Sequence, residues 1–149
     1  MKIYVGADYK GFEKKETIVG FLSDSGQNVQ DMGAYEYREG DDFNDPAVSV
    51  AREVREDIGS FGILICDSAH GVTIQANRFK GIRAAHCNDE ESARLAREHD
   101  DANVLCLSAH SLSDEEMEGI VNTFLNTQFI AHERRVRRIN RLDEREDYD

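Results

Sequence analysis

The sequence predicts an α/β fold, a doubly wound sheet of about five mainly parallel strands with helices on both faces. Two observations predict it. Short β-branched or apolar runs alternate along the chain with longer stretches of helical period, which is the pattern of βαβ units. In addition, 149 residues suffice for one sizeable core and are too few for two. We therefore expect a single domain over residues 1–149.

In chain order, each strand candidate is a short apolar run and each helix candidate is an amphipathic stretch. The predicted strands are "KIYVGA", "NVQDMG", "FGILIC", "GIRAAHC" and "ANVLCLSA". The predicted helices are "EKKETIVGFLSDSG", "DPAVSVAREVREDIG", "VTIQANRF", "DEESARLAREHD" and "SDEEMEGIVNTFLNTQF". Gly26 and Gly59 follow the first two helices, where glycine adopts the left-handed conformation most easily. Asn88 and Ser113 precede acid-rich runs, as helix N-caps do.

Composition limits the partners and the compartment. A formal charge of −12 disfavours nonspecific binding to nucleic acid or to anionic membranes. The apolar runs are far shorter than the roughly 20 residues that a membrane span needs, and the chain opens on a strand rather than a hydrophobic leader. Cys66, Cys87 and Cys106 lack C-x-x-C spacing, so we expect free thiols and a cytoplasmic location.

The last twenty residues, 130–149, differ from the rest of the chain. Val136, Ile139 and Leu142 recur at three-residue spacing within a densely charged stretch. This spacing predicts a helix with a narrow apolar seam, which is better suited to a neighbouring subunit than to the core of its own chain. The basic run "RRVRRINR" would also suit a nucleic-acid contact. The acids that follow it and the total charge favour the helix between subunits.

Candidate site residues follow the predicted strands, because ligands of open parallel sheets bind outside the carboxyl ends of the strands. Asp8 and Tyr9 follow the first strand, and the stretch "CDSAHG" ends the third. Cys66 is either a nucleophile or base, if a helix N-terminus lowers the pKa of its thiol, or a small core residue. The carboxylate of Asp67 would raise that pKa unless it points away.

The remaining signals are weaker. The "SAHG" loop either offers backbone N–H groups to an oxyanion or is an ordinary turn. His99 is either a catalyst or a favourable charge at a helix C-terminus. The sequence lacks the G-x-G-x-x-G, P-loop, G-x-S-x-G and H-E-x-x-H motifs, so we expect no nucleotide cofactor, no serine triad and no metal.

Several segments together resemble one family. They are "MKIYVGAD", "FGILIC", "GIRAA", "SARLAREH", "DANVL", "IVNTFLNTQF" and "HERRV". They resemble the ribose-5-phosphate isomerase B and galactose-6-phosphate isomerase group of aldose–ketose isomerases over nearly the whole chain. The resemblance implies a Rossmann-like three-layer αβα sandwich and active sites shared between subunits of a homodimer or tetramer. It also implies cofactor-free proton transfer between C1 and C2 of a sugar phosphate through an enediolate.

The resemblance also implies roles for individual residues. Cys66 occupies the position of the proton-transfer base, and His99 occupies that of the ring-opening histidine. Asp8 matches a carboxylate that contacts the sugar, and Ser68 replaces a threonine while keeping its hydroxyl. The loop through Gly71 would direct N–H groups toward the enediolate, with Asn77 behind it.

The active-site loop departs from the family pattern. The usual C-G-T-G-x-G reads Cys66, Asp67, Ser68, Ala69, His70 and Gly71 here. If the missing glycines require positive φ, Asp67 and Ala69 must adopt a strained conformation or the loop must change shape. Tyr9 stands where the family has a histidine, and Asp100 stands where it has an asparagine. An added carboxylate would repel a phosphate dianion.

Fewer phosphate-binding arginines remain than in the family. His110 and Ala131 stand at arginine positions, which leaves Arg135, with Arg134 beside it. Neither histidine nor alanine reproduces the bidentate grip of arginine on phosphate. Two hypotheses follow. The chain is an active isomerase of a pentose phosphate, a hexose phosphate or a less charged sugar, or it is inactive alone. In the second case it binds sugar phosphates or needs a related second subunit.

Overall fold

The computed structural model describes residues 1–144, which form five strands and six helices. The strands are β1 (Lys2–Ala7), β2 (Asn28–Asp31), β3 (Phe61–Cys66), β4 (Ala84–His86) and β5 (Val104–Ser108). The helices are α1 (Phe12–Asp24), α2 (Asn44–Glu56), α3 (His70–Ala76), α4 (Glu90–Asp100), α5 (Asp114–Asn126) and α6 (Glu133–Asn140). Each lies on a segment predicted from the sequence.

The five strands form one sheet in the order β2-β1-β3-β5-β4, and every neighbouring pair is parallel. One core cluster joins α1, α4 and α5 to one face of the sheet, and a second joins α2 and α3 to the other. The predicted three-layer αβα sandwich is therefore confirmed. Within β3, Ile63 and Ile65 face the first cluster while Leu64 and Cys66 face the second, as the period of two in a strand requires.

Local chemistry sets the helix ends. Gly26 and Gly59 have φ of +78° and +91°, which confirms their predicted left-handed conformation. Ser113 caps α5 in a reciprocal capping box with Glu116, also as predicted. The prediction of Asn88 as a cap is wrong. Asp89 caps α4 instead, because its extended backbone brings its carboxylate within 2.7 Å of the Ser92 amide nitrogen.

Strand order and helix direction place residues at two opposite edges of the sheet, one formed by the carboxyl ends of the strands and the other by their amino ends. The order reverses between β1 and β3, so the carboxyl ends of these strands form the switch point where ligands bind in such sheets. Helix α4 runs back from the end of β4 to the start of β5. Its last turn therefore lies at the opposite edge, where the strands begin. A strand of five or six residues separates the two edges by roughly 15 Å.

Three further findings bear on the predictions. Cys66, Cys87 and Cys106 are free and buried, as expected. No helix within residues 1–144 combines the length and the apolar character needed to cross a bilayer. Helix α6 lies against α4 and buries none of its residues; Val136 is 37% exposed, and Leu142, just after the helix, is 61% exposed. The end of the predicted subunit-contacting tail, residues 145–149, lies outside the described residues.

Candidate active site

The thiol of Cys66 lies at the switch point, at the end of β3. Its side chain is buried against α2 and α3. Burial raises the pKa of this thiol, and the backbone N–H groups of Val72, Ala69 and Ser68, which face the sulfur, act in the opposite direction. The loop thus directs three N–H donors at one buried point, where they would stabilise a thiolate or an adjacent oxyanion.

In the loop after Cys66, only one of the two residues that replace family glycines adopts a positive φ. Ala69 adopts φ +71° and ψ −7°, the left-handed conformation, whereas Asp67 keeps a negative φ. Of the two strained positions anticipated from the sequence, only Ala69 is strained. Gly71 has a different role, because a Cβ at this position would lie 2.8 Å from the ring of Phe43. Its missing side chain makes room for that ring.

Asp8 lies beside the thiol and is almost fully buried. Its Oδ1 accepts a hydrogen bond from the Gly11 amide at 3.1 Å. Burial raises the pKa of the Asp8 carboxyl, and the charges of Asp41 and Asp67 add to this rise. The charge of Asp8 also helps to raise the pKa of Cys66. The carboxylate that acts on the thiol is thus Asp8, while Asp67 is exposed.

A loop between β2 and α2 covers the turn that carries Asp8. Asp41 Oδ1 accepts a hydrogen bond from the Tyr9 amide at 2.9 Å. The rings of Tyr9 and Tyr37 meet edge to face, with centroids 6.0 Å apart. These contacts hold Tyr9 at the rim of the site. The same loop lines a cavity of about 400 Å³ whose acidic side chains would repel an anionic sugar, and neither Cys66 nor Asp8 lines it.

The segment after β5 fixes the thiol loop from the other side. The amides of Ala109 and His110 donate to the carbonyls of Cys66 and Asp67 at 2.9 and 3.0 Å. The hydroxyl of Ser108 donates to the Asp67 carbonyl at 2.7 Å. With both carbonyls held, the following N–H groups are directed toward the sulfur. His110, expected at a phosphate-binding position, therefore lies beside the thiol loop.

The other nominated residues of this region have contacts of their own. The hydroxyl of Ser68 accepts a hydrogen bond from the His70 amide at 3.3 Å. The rings of His70 and His86 meet edge to face at 5.4 Å. Asn77 lies at the far end of α3, where its side-chain amide pairs with the backbone N–H and C=O of Ala84 at 2.8 and 3.0 Å. It ties α3 to β4.

The second group of nominated residues lies at the opposite edge of the sheet. His99, Asp100, Arg134 and Arg135 line one cavity of about 270 Å³, together with Arg138. His99 is half-exposed, with its Nε2 3.7 Å from a carboxylate oxygen of Glu98. The Arg135 guanidinium donates to the carbonyls of Glu98 and Ile130, both at 3.3 Å. We call this site the arginine cavity.

Three side chains that the sequence did not nominate contribute to these regions. Phe43 packs on Gly71, and Asp41 holds Tyr9. Both lie outside any periodic element, so no sequence signal marked them. Arg138 stands three residues after Arg135 and four after Arg134, and that helical spacing would have indicated a shared face.

Fold and site together define a class of protein. A buried thiol beneath backbone N–H groups, with a carboxylate beside it, suits acid–base chemistry on a small polar molecule. An imidazole among guanidinium groups suits an anionic one. Within residues 1–144, no group of three or more His, Cys, Asp and Glu side chains is arranged to hold a metal ion. These features define an α/β enzyme whose candidate site residues are divided between the two ends of its parallel strands.

Comparisons with known proteins identify the family. Residues 3–142 match the model of the Ribose/Galactose Isomerase family. The chain is 42% identical over 139 residues to a probable ribose-5-phosphate isomerase B of Mycoplasma pneumoniae, covering 92% of this chain and 91% of that protein. It therefore belongs to this family, and it is a sugar-phosphate isomerase. The family predicted from the sequence is confirmed.

Solved structures agree with this assignment. The ribose 5-phosphate isomerase of Thermotoga maritima is 40% identical and superposes with a TM-score of 0.92, over 96% of this chain and 97% of the other. The ribose-5-phosphate isomerase B of Mycoplasma genitalium, solved with bound ribulose-5-phosphate, is 38% identical with a TM-score of 0.94. That match covers 99% of this chain and 97% of the other.

Proposed function

We propose that this chain interconverts ribose 5-phosphate and ribulose 5-phosphate by proton transfer between C1 and C2. The observation that carries the proposal is the Cys66 thiol, buried at the switch point with three backbone N–H groups facing it. The names of the relatives and the ribulose-5-phosphate bound to the Mycoplasma genitalium protein support the choice of sugar.

In the proposed reaction, the thiolate of Cys66 removes the C2 proton of the open-chain aldose, and negative charge develops on the C1 oxygen, where the N–H groups of the loop stabilise the enediolate. The 2-hydroxyl proton then moves to the C1 oxygen, and the Cys66 thiol returns its proton to C1, which leaves a carbonyl at C2. Asp8 orients a sugar hydroxyl by accepting its hydrogen bond. The step needs no redox partner, because C2 is oxidised as C1 is reduced, with one proton moving from C2 to C1 and one from the C2 oxygen to the C1 oxygen.

Ring opening requires a second acid–base group, and we assign it to His99 of another copy of the chain. Within one copy, His99 lies at the edge where the strands begin, and Cys66 lies where they end. The roughly 15 Å between these edges exceeds the reach of two groups that act on adjacent atoms of one sugar. A symmetric dimer that sets one copy's arginine cavity against the other's thiol supports both functions. The exposed apolar side chains of Val136, in α6, and of Leu142, just after it, favour such pairing.

The proposal is tested by NMR-detected exchange of the C2 proton in deuterated solvent. Ribose 5-phosphate, galactose 6-phosphate and free ribose are compared on the wild type and on Cys66→Ala. We expect exchange with ribose 5-phosphate and a loss of about 100- to 10,000-fold in the variant, the usual range for a general base. Cys87→Ala is the matched control, since Cys87 is a buried thiol in the opposite core cluster.

The outcomes separate the two hypotheses left by the sequence. Exchange that survives in Cys66→Ala would remove the thiol from the mechanism. Exchange with galactose 6-phosphate alone would correct the substrate. Absence of exchange with every sugar would refute an isomerase that works alone, and would favour a sugar-phosphate-binding chain or one that needs a related second subunit.

A further inference from the structure

Helix α6 presents three arginines to one cavity. Arg134, Arg135 and Arg138 are spaced by three and four residues, so they lie on the same face of the helix. All three line the arginine cavity with His99 and Asp100. The neighbouring Arg137 lines a different groove, together with Glu133 and Asn140. The helix thus separates its arginines between two surfaces.

The three guanidinium groups of the cavity differ in their contacts. Arg135 is held by the two carbonyls of Glu98 and Ile130. Among residues 1–144, neither Arg134 nor Arg138 makes a side-chain hydrogen bond or an ion pair, although other arginines of this acidic chain do. Asp100 is the one carboxylate that lines the cavity among these residues, and it forms no ion pair with them. Like charges left unpaired at one point repel each other, and a bound anion relieves that repulsion.

We propose that Arg138 is a specificity-determining residue that, with Arg134 and Arg135, binds the phosphate of the sugar. This inference rests on the proposed function and extends it to a residue that the resemblance did not assign. Arg138 supplies a guanidinium that positions 110 and 131 lack, since His110 lies at the thiol loop and residue 131 is alanine. Three guanidinium groups around one cavity can hold a dianion through bidentate contacts. The same cavity then brings the phosphate beside His99.

Two ordinary explanations predict different behaviour. If Arg138 only complements the negative C-terminal end of α6, then Arg137 in the same turn does so equally. If it only adds positive charge to the surface, Arg137 again does the same. Arg137→Ala is therefore the matched control for Arg138→Ala, because both changes remove the same charge and the same side chain from adjacent positions.

The first measurement is calorimetric titration of the full-length proteins with inorganic phosphate and with ribose 5-phosphate at fixed ionic strength. We expect Arg138→Ala to weaken both affinities about tenfold, the effect of losing one hydrogen bond to a charged group. Arg137→Ala should change both affinities by less than about twofold. Arg138→Lys should have an intermediate effect, because lysine keeps the positive charge but cannot make the bidentate contacts of a guanidinium group. Light scattering and thermal unfolding verify that each variant keeps its assembly and fold.

Kinetics give the second measurement. Arg138→Ala should raise KM for ribose 5-phosphate and leave the rate of exchange for unphosphorylated ribose unchanged. Equal losses in Arg137→Ala and Arg138→Ala, no loss in either, or a wild type that binds no phosphate would each overturn the assignment. A wild type that binds phosphate but isomerises no sugar would refute the proposed function alone, and the titrations would still decide the role of Arg138.

Discussion

The thiol loop and the arginine cavity are built in different ways. The thiol loop is formed from backbone: three N–H groups face a buried sulfur, and hydrogen bonds from the segment after β5 hold its carbonyls. The arginine cavity is formed from long side chains on two helices, with α6 burying none of its residues. The first region is complete within one copy of the chain. The second is open to solvent within one copy.

The two regions also differ in charge. Asp8, Asp41 and Asp67 act on one another around the thiol, so that edge is negative. Three arginines make the opposite edge positive. Two copies that meet with unlike edges together satisfy electrostatic complementarity, and like edges together do not. Under the proposed function, this division of charge favours a symmetric pair with two equivalent sites.

The strongest test of this division is complementation. Cys66→Ala and His99→Asn should each be nearly inactive. Co-expressed with different affinity tags and purified through both, the mixed dimer should recover about half of wild-type activity, since one of its two symmetric sites keeps both groups. The readout is turnover of ribose 5-phosphate.

Two results bound this prediction. A mixed dimer as inactive as its parents would mean that each chain uses its own His99, whereas an active His99→Asn parent would mean that His99 has no catalytic role. The double variant Cys66→Ala/His99→Asn, co-expressed with wild type, is the control. It places both defects in one chain and leaves each site of the mixed dimer with one defect, so this mixed dimer should be as inactive as the single variants.

The next largest effect is expected in the pH dependence of activity, which should report the raised pKa of the Cys66 thiol. Burial raises the pKa of Cys66, so the thiolate required for proton abstraction forms at higher pH than that of an ordinary thiol. We expect kcat/KM to rise with pH into the alkaline range and to fall as pH drops. Alkylation of Cys66 by iodoacetamide, followed by mass spectrometry, should rise about tenfold per pH unit below that pKa.

Asp8→Asn sharpens the same test. It removes the charge that adds to the rise in the pKa of Cys66, so the alkylation profile should move to lower pH. The free energy of unfolding depends on pH in the opposite direction to kcat/KM. A thiol whose pKa is raised by folding stabilises the fold below its unfolded pKa, and this contribution is lost as pH rises through the folded pKa. An unmoved alkylation profile in Asp8→Asn would show that the carboxylate does not act on the thiol.

Most of the fold could be predicted from the sequence, because periodicity reports burial directly. "FGILIC" was predicted to the residue, since a strand buried on both faces is a continuous apolar run. "GIRAAHC" was predicted too long, because at the sheet edge only Ala84–His86 pair with β5. The cap at Asn88 was wrong by one residue, since Asn88 and Asp89 are both good caps and only the backbone chooses between them.

The site was less predictable, because its geometry depends on contacts between distant segments. Cys66 and Asp8 could be nominated from strand ends, but the hydrogen bond from Tyr9 to Asp41 joins residues 32 positions apart. The resemblance nominates His99, and its place at the end of a helix that precedes a strand already puts it at the opposite end of the strands from Cys66, but no pattern shows which side chains of α6 lie beside it. The conformation of the loop was anticipated at Ala69 and not at Asp67, because hydrogen bonds from residues 108–110 hold the Asp67 carbonyl.

Gly71→Ala should produce the next largest effect, at the thiol loop. The new Cβ would lie 2.8 Å from the ring of Phe43, and overpacking of this kind costs about 1–3 kcal/mol. Gly20→Ala, in α1, meets nothing within 4 Å and should stabilise by about 0.5–1 kcal/mol. Urea denaturation measures both. If the clash with Phe43 is the cause, Gly71→Ala should cost less in a Phe43→Ala background.

The smallest expected effect concerns the strained residue of the loop. Ala69→Gly relieves about 1–2 kcal/mol of left-handed strain but loses a buried methyl worth about 0.8 kcal/mol and adds about 0.5–1 kcal/mol of backbone entropy cost, so gain and loss nearly cancel. Ala51→Gly is the control: it loses a methyl that is equally buried, from the middle of α2, and should cost about 2 kcal/mol. Urea midpoints at constant m-value give the comparison. Equal losses in the two variants would mean that Ala69 stores no strain, and that the loop accepts alanine in place of glycine without cost.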